Sequence, residues 1–155
     1  MNGKLIASLL VASALIAGAA MYYLQVYAFY EDVDPASVDI RLTSLTSGQP
    51  EPLPNTGLRA IDADSSPLRF RACFTTPLSL AALTEEFVIY DDPVPLTAPG
   101  WFDCFDAEAV GTALEQDRAI AFLAQADIGD GVDRVIAVFD DGRAYAWHQL
   151  NDTYE

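Results

Sequence analysis

The sequence predicts an α+β protein: an N-terminal transmembrane helix followed by a small antiparallel-sheet domain with two short helices. Three observations predict it. Residues 5–30 contain no charged side chain, and about 20 apolar residues suffice to cross a bilayer's hydrocarbon core. The last third holds three strand-like runs separated by Gly129-Asp130-Gly131 and Asp140-Asp141-Gly142, and Asp-Gly is a strong hairpin signal. Between these regions, Thr76 and Asp106 each precede a short segment with an apolar face, the position at which a Thr or Asp caps a helix.

The anchor reads first. Lys4 is the only charged side chain before it, and Glu31, Asp32 and Asp34 follow it. Positive charge is retained on the cytoplasmic side, so the expected topology puts the N-terminus inside and the rest outside. Tyr22, Tyr23, Tyr27, Phe29 and Tyr30 gather at the far end, as in an interfacial aromatic belt. Ala14 and Gly18 form a small-xxx-small pair, a spacing that is also ordinary in such helices. A cleaved signal peptide is the rival reading. Lys4 would be its n-region, residues 5–16 its h-region and Ala17-Gly18-Ala19 its cleavage site. Apolar character continues past that point through Met21, Tyr22, Tyr23, Leu24 and Val26. The whole stretch gives roughly 39 Å of helix, which favours a retained anchor over residues 1–30.

Residues 31–37 are expected to be a polar tether, and residues 38–155 the globular domain. Val38, Ile40 and Leu42 alternate with Asp39, Arg41 and Thr43, the period of a first strand over residues 38–45. Residues 46–57 carry three prolines and two glycines and read as a loop. Residues 58–63 and 68–75 read as two strands around the turn Asp64-Ser65-Ser66-Pro67. In the second, Leu68, Phe70, Ala72 and Phe74 share a core face. Arg69, Arg71 and Cys73 share the other, expected to be wet or covered by an acidic segment. Thr76-Pro77 should open a helix, and residues 87–90 a short strand. Residues 91–100 hold three prolines and exclude regular structure. Residues 101–105 read as a loop pinned to the body by Cys104 and its aromatics. Asp106 should cap the second helix, with Glu108 in its first turn and Val110 and Leu114 inward. Residues 118–128, 132–140 and 143–150 complete the sheet. Val135-Ile136-Ala137-Val138-Phe139 is apolar on both faces, as in an interior strand.

Composition narrows function. All 23 acidic residues lie after residue 30, and no lysine follows Lys4. The formal net charge is −15, a field that repels nucleic acid and anionic lipid, so no nucleic-acid partner is expected. Solubility, a basic partner or loose cation binding would each use such a surface. The two cysteines, Cys73 and Cys104, are too far apart in sequence for a CxxC redox motif. In an exported domain they read as a structural disulfide rather than as free buried thiols.

Chemistry-bearing patterns are sparse. Asp62-Ala63-Asp64-Ser65-Ser66 offers oxygen ligands but lacks the EF-hand pattern, and reads as a turn. Asp127, Asp130 and Asp133 crowd a hairpin tip that water can solvate. His148 is the only histidine, and no G-x-S-x-G elbow accompanies it. Catalytic residues, metal ligands and cofactors are therefore not expected. The most specific oddity is basic: Arg69 and Arg71 on one strand face, about 7 Å apart, with Arg59 on a neighbouring strand. Together they would hold a carboxylate or phosphate, or pair internally with acids such as Asp62 and Asp64.

Met1-Asn2-Gly3-Lys4, the stretch Met21-Tyr22-Tyr23-Leu24-Gln25-Val26-Tyr27-Ala28-Phe29-Tyr30, and Ile61-Asp62-Ala63-Asp64-Ser65-Ser66-Pro67-Leu68-Arg69-Phe70-Arg71-Ala72-Cys73-Phe74 carry a resemblance. Nearly the whole chain is similar to an uncharacterised family of short anchored proteins from Rhodobacter-group alphaproteobacteria. The resemblance implies a single-pass inner-membrane protein with a periplasmic domain, and it implies no activity. Residues and resemblance together lead to an expected non-enzymatic accessory or interaction module. Its partners would be the bilayer, through residues 5–30, and an inner-membrane or periplasmic protein. The alternative is a periplasmic ligand-sensing or small-anion-binding domain using Arg59, Arg69 and Arg71.

Overall fold

The computed structural model describes residues 2–151 and divides into two units, residues 1–30 and 31–155. The first unit is helical. Helix α1 (Gly3–Tyr23) passes into a π-helical turn, Leu24–Ala28. Together Gly3–Ala28 is long and apolar enough to span a membrane. It buries none of its residues against protein, and Leu9, Leu10, Leu15 and Ile16 are each more than 60 % exposed.

The second unit is built on a six-stranded antiparallel sheet. Its strands are β1 (Glu31–Val33), β4 (Thr56–Asp62), β5 (Arg71–Thr75), β6 (Ala119–Gly129), β7 (Val132–Phe139) and β8 (Arg143–Leu150). They lie in the order β1-β4-β5-β8-β7-β6. A separate two-stranded ribbon joins β2 (Arg41–Thr43) to β3 (Pro50–Pro52). Helices α2 (Leu80–Glu86) and α3 (Ala107–Glu115) complete it. The hairpins β6–β7 and β7–β8 turn at Gly131 and Gly142, both at positive φ. Gly142 is required twice over. Its φ of 85° favours glycine, and a Cβ there would meet Thr76 O at 2.7 Å.

Both faces of the sheet are covered. On one, Ala60, Ala72, Phe74, Ile136, Val138 and Ala146 form the core with Ile40, Leu42, Leu53, Leu83 and Phe87 from the ribbon and the α2 region. On the other, the register places Cys73 opposite Tyr145, Arg71 opposite Trp147 and Val135 opposite Trp147. Phe105 meets Tyr145 and Trp147 edge-on there. Val135 to Phe139 is buried on both sides, as its uninterrupted apolar run predicts.

Several expected elements take a different form. The tether is structured: Glu31–Val33 pairs with Ala60–Asp62 as an edge strand, and Pro35–Ser37 forms a 3-10 turn capped by Asp34. The strand over residues 38–45 contracts to β2 and stands outside the main sheet, though Ile40 and Leu42 are buried as its alternation requires. The loop over residues 46–57 supplies β3 and the start of β4. Pro67–Arg69 is a 3-10 turn rather than strand, because Ser66 accepts a hydrogen bond from Leu68 N and Pro67 fills its first position. Helix α2 starts later than expected. Thr76 Oγ1 accepts from Leu78 N in the turn before it, and Ser79 is the cap and accepts from Ala82 N. Residues 87–90 make isolated bridges, Ser44 to Phe87 and Ile89 to Phe122, tying the ribbon to β6.

Candidate functional site

The pair Cys73 and Cys104 forms the expected disulfide, with Cα atoms 6.2 Å apart, inside the usual range. Cys73 lies on β5, and Cys104 in the loop between residues 91 and 106. The bond fixes that loop across the sheet face expected to be wet. Phe102 and Phe105 are buried beneath it.

The three arginines singled out in the sequence meet different fates. Arg71 is 3 % exposed, and the loop, not an acidic segment, covers it. Its Nε donates to Leu96 O at 2.7 Å and its Nη2 to Thr97 O at 3.2 Å. Its Nη1 donates to Leu68 O and Phe70 O at 2.7 and 2.6 Å. The guanidinium also sits 5.9 Å from the Phe105 ring centroid. Backbone carbonyls therefore receive the charge, and Arg71 acts as a strut between β5 and the proline-rich loop. Arg59 is half exposed, pairs with Asp103 at 3.0 Å and lies 5.4 Å from the Phe102 centroid. It clamps the same loop from outside. Arg69 belongs to the 3-10 turn, so the strand spacing expected between Arg69 and Arg71 does not exist. Arg59 and Arg71 share a sheet face by register, since Arg59 opposes Cys73 and Ile61 opposes Arg71.

His148 is buried between two fixed partners. Its Nδ1 lies 2.6 Å from Pro67 O, and its Nε2 lies 2.9 Å from Arg134 Nε. A carbonyl only accepts and a guanidinium only donates, so Nδ1 carries the proton and Nε2 is the acceptor. The ring stacks on Phe70 at 4.7 Å, and the Arg134 guanidinium lies 4.4 Å from the Phe70 centroid. Burial pushes the His148 pKa down to about 4, and the nearby Arg134 and Arg71 charges act in the same direction. The Pro67 bond opposes them. Neither nitrogen remains to take a proton from a nucleophile. Arg134 was not flagged in the sequence. The available signal was a lone cation at the start of the apolar run of β7, placed opposite His148 by register.

The acidic clusters are structural as well. Asp62 Oδ1 accepts from Ala63 N, and burial raises its pKa. Asp133 is buried and accepts from Asp127 N, Tyr90 Oη and Asn151 Nδ2. Asn151 Nδ2 also donates to Asp127, so one amide bridges the two carboxylates at the hairpin. Among the described residues, no three His, Cys, Asp or Glu side chains are grouped to hold a metal ion.

Residues 40–155 match the model of a family of unknown function, DUF6446, and the chain belongs to it. No curated protein and no solved structure matches the chain.

Proposed function

We propose that this member of the DUF6446 family is a single-pass, membrane-anchored, non-enzymatic interaction module of the cell envelope. Its acidic domain would lie on the periplasmic side of the inner membrane, in an alphaproteobacterial setting. The observation that carries the reading is the order of the chain: the apolar Gly3–Ala28 helix, then a domain holding every acidic residue. Lys4 before the helix and acids after it favour that orientation. The Cys73–Cys104 bond supports it, since such bonds persist in oxidising compartments. The non-enzymatic part rests on the use of His148 and a buried arginine as scaffold. His148 and Arg71 are both spent on internal hydrogen bonds.

The geometry favours this reading over a small-anion site on Arg59, Arg69 and Arg71. Arg71 already gives four hydrogen bonds to carbonyls, and Arg59 spends its Nη1 on Asp103, which breaks up the Nη pair a carboxylate would take. The test is affinity purification of the full-length protein from detergent-solubilised membranes, followed by gel filtration. A membrane or periplasmic protein that co-migrates in fixed ratio is expected. A monodisperse protein with no co-migrating partner, from cells grown under several conditions, would count against the proposal.

A further inference from the structure

We propose that the cleft between α3 and the far end of β7 and β8 binds a small zwitterion of the amino-acid class with an aromatic side chain. This site is independent of the interaction reading and of Arg59, Arg69 and Arg71. The cleft has a volume of about 400 Å³, within the range of small-molecule sites.

Its lining carries both signs of charge. The start of β8 supplies Arg143, and Arg118 stands at the junction of α3 and β6, its N–H bonded to Ala113 O. Phe139, the last residue of β7, opposes Ala119, and its neighbour Val138 opposes Ala144. The two arginines therefore flank the end of one strand. Arg143 is oriented by a 2.7 Å bond from Nε to Asp141 and lies 4.9 Å from the Phe139 centroid. Arg118 is oriented by a 3.0 Å bond from Nε to Gln116 Oε1. A guanidinium held through Nε can still donate two Nη bonds to a carboxylate.

The helix wall supplies Asp106 and Glu108. Asp106 spends one oxygen on capping α3, at 3.0 Å from Ala109 N, and Glu108 is exposed in the first turn. A bare anion entering the cleft would face these two carboxylates, and a bare cation would face the two arginines. A zwitterion offers each sign of charge its match. Phe139 and Tyr145 lie edge to face at 5.4 Å, and both line the cleft. An aromatic ligand ring can extend that arrangement.

The experiment uses the full-length protein in detergent micelles and amide NMR spectra. The probes are L-phenylalanine, phenylacetate and phenethylamine, the last two each lacking one of the charges. L-Phenylalanine should shift the Ala109, Thr112 and Tyr145 amides saturably at about 1–10 mM. It should bind at least about fivefold more tightly than either single-charge probe. Arg118→Gln should weaken L-phenylalanine about three- to tenfold and leave phenethylamine no weaker. Glu108→Gln should weaken L-phenylalanine comparably and leave phenylacetate no weaker. Both substituted residues are exposed, and an unchanged melting curve confirms the fold. Equal binding of the three probes, no saturable shift at about 10 mM, or no effect of either substitution overturns the proposal.

Discussion

Arg71 and His148 show how a chain of net charge −15 handles basic side chains in its interior. Each is satisfied by backbone carbonyls or by another side chain, and each is a point of leverage on stability. His148 has a folded pKa of about 4 against 6.5 unfolded, so the unfolded chain binds the extra proton between those values. Stability from this group is fully present above pH 6.5 and is lost as pH falls toward 4. We predict that wild type loses about 2 kcal/mol more than His148→Gln between pH 7 and pH 5, measured by urea unfolding. Parallel pH profiles would contradict a buried, neutral His148. Arg71→Met should cost about 2–4 kcal/mol, because at least four carbonyls lose their donor in a buried site. Hydrogen exchange should accelerate in residues 93–105 ahead of β7. The sequence marked Arg71 correctly as unusual, but not its role. Periodicity places a side chain on a face and is silent on what covers that face.

The elements divide sharply between those legible in the sequence and those that were not. Strands β6, β7 and β8 and helix α3 follow their turn and cap signals closely. Gly131, Gly142 and Asp106 act through the local backbone, so nothing distant can override them. The tether and the ribbon were decided by distant partners. Glu31–Val33 becomes a strand because Ala60–Asp62 offers a free edge, while Thr76 Oγ1 accepts from Leu78 N in a turn ahead of α2, whose cap is Ser79. The proline-rich loop is ordered by a different kind of constraint: one disulfide, one buried arginine and two aromatic anchors. Reducing Cys73–Cys104, or replacing both residues with alanine, should destabilise the domain by about 3–4 kcal/mol for a loop of this span, read by denaturant unfolding. The melt should remain cooperative, since β6, β7 and β8 do not depend on the bond. A change under about 1 kcal/mol would show that the arginine and the aromatics hold the loop unaided.

For the whole molecule, the uncharged run of residues 5–30 was the clearest signal in the sequence, and the structure gives Gly3–Ala28 as one continuous helical segment long and apolar enough to span a membrane. The cleft under α3 was invisible, because Arg118, Arg143, Asp106 and Glu108 converge only through the strand register. The central claim of the proposed function is topological: a retained helix and a domain outside the cytoplasm. Its most direct test is the fate of a C-terminally tagged chain in washed spheroplasts treated with a protease. The account predicts that the 16.8 kDa protein stays with the washed spheroplasts, and that its tag and domain are digested without lysis. Release of the protein with the periplasmic fluid, or protection of the tag until lysis, would contradict it.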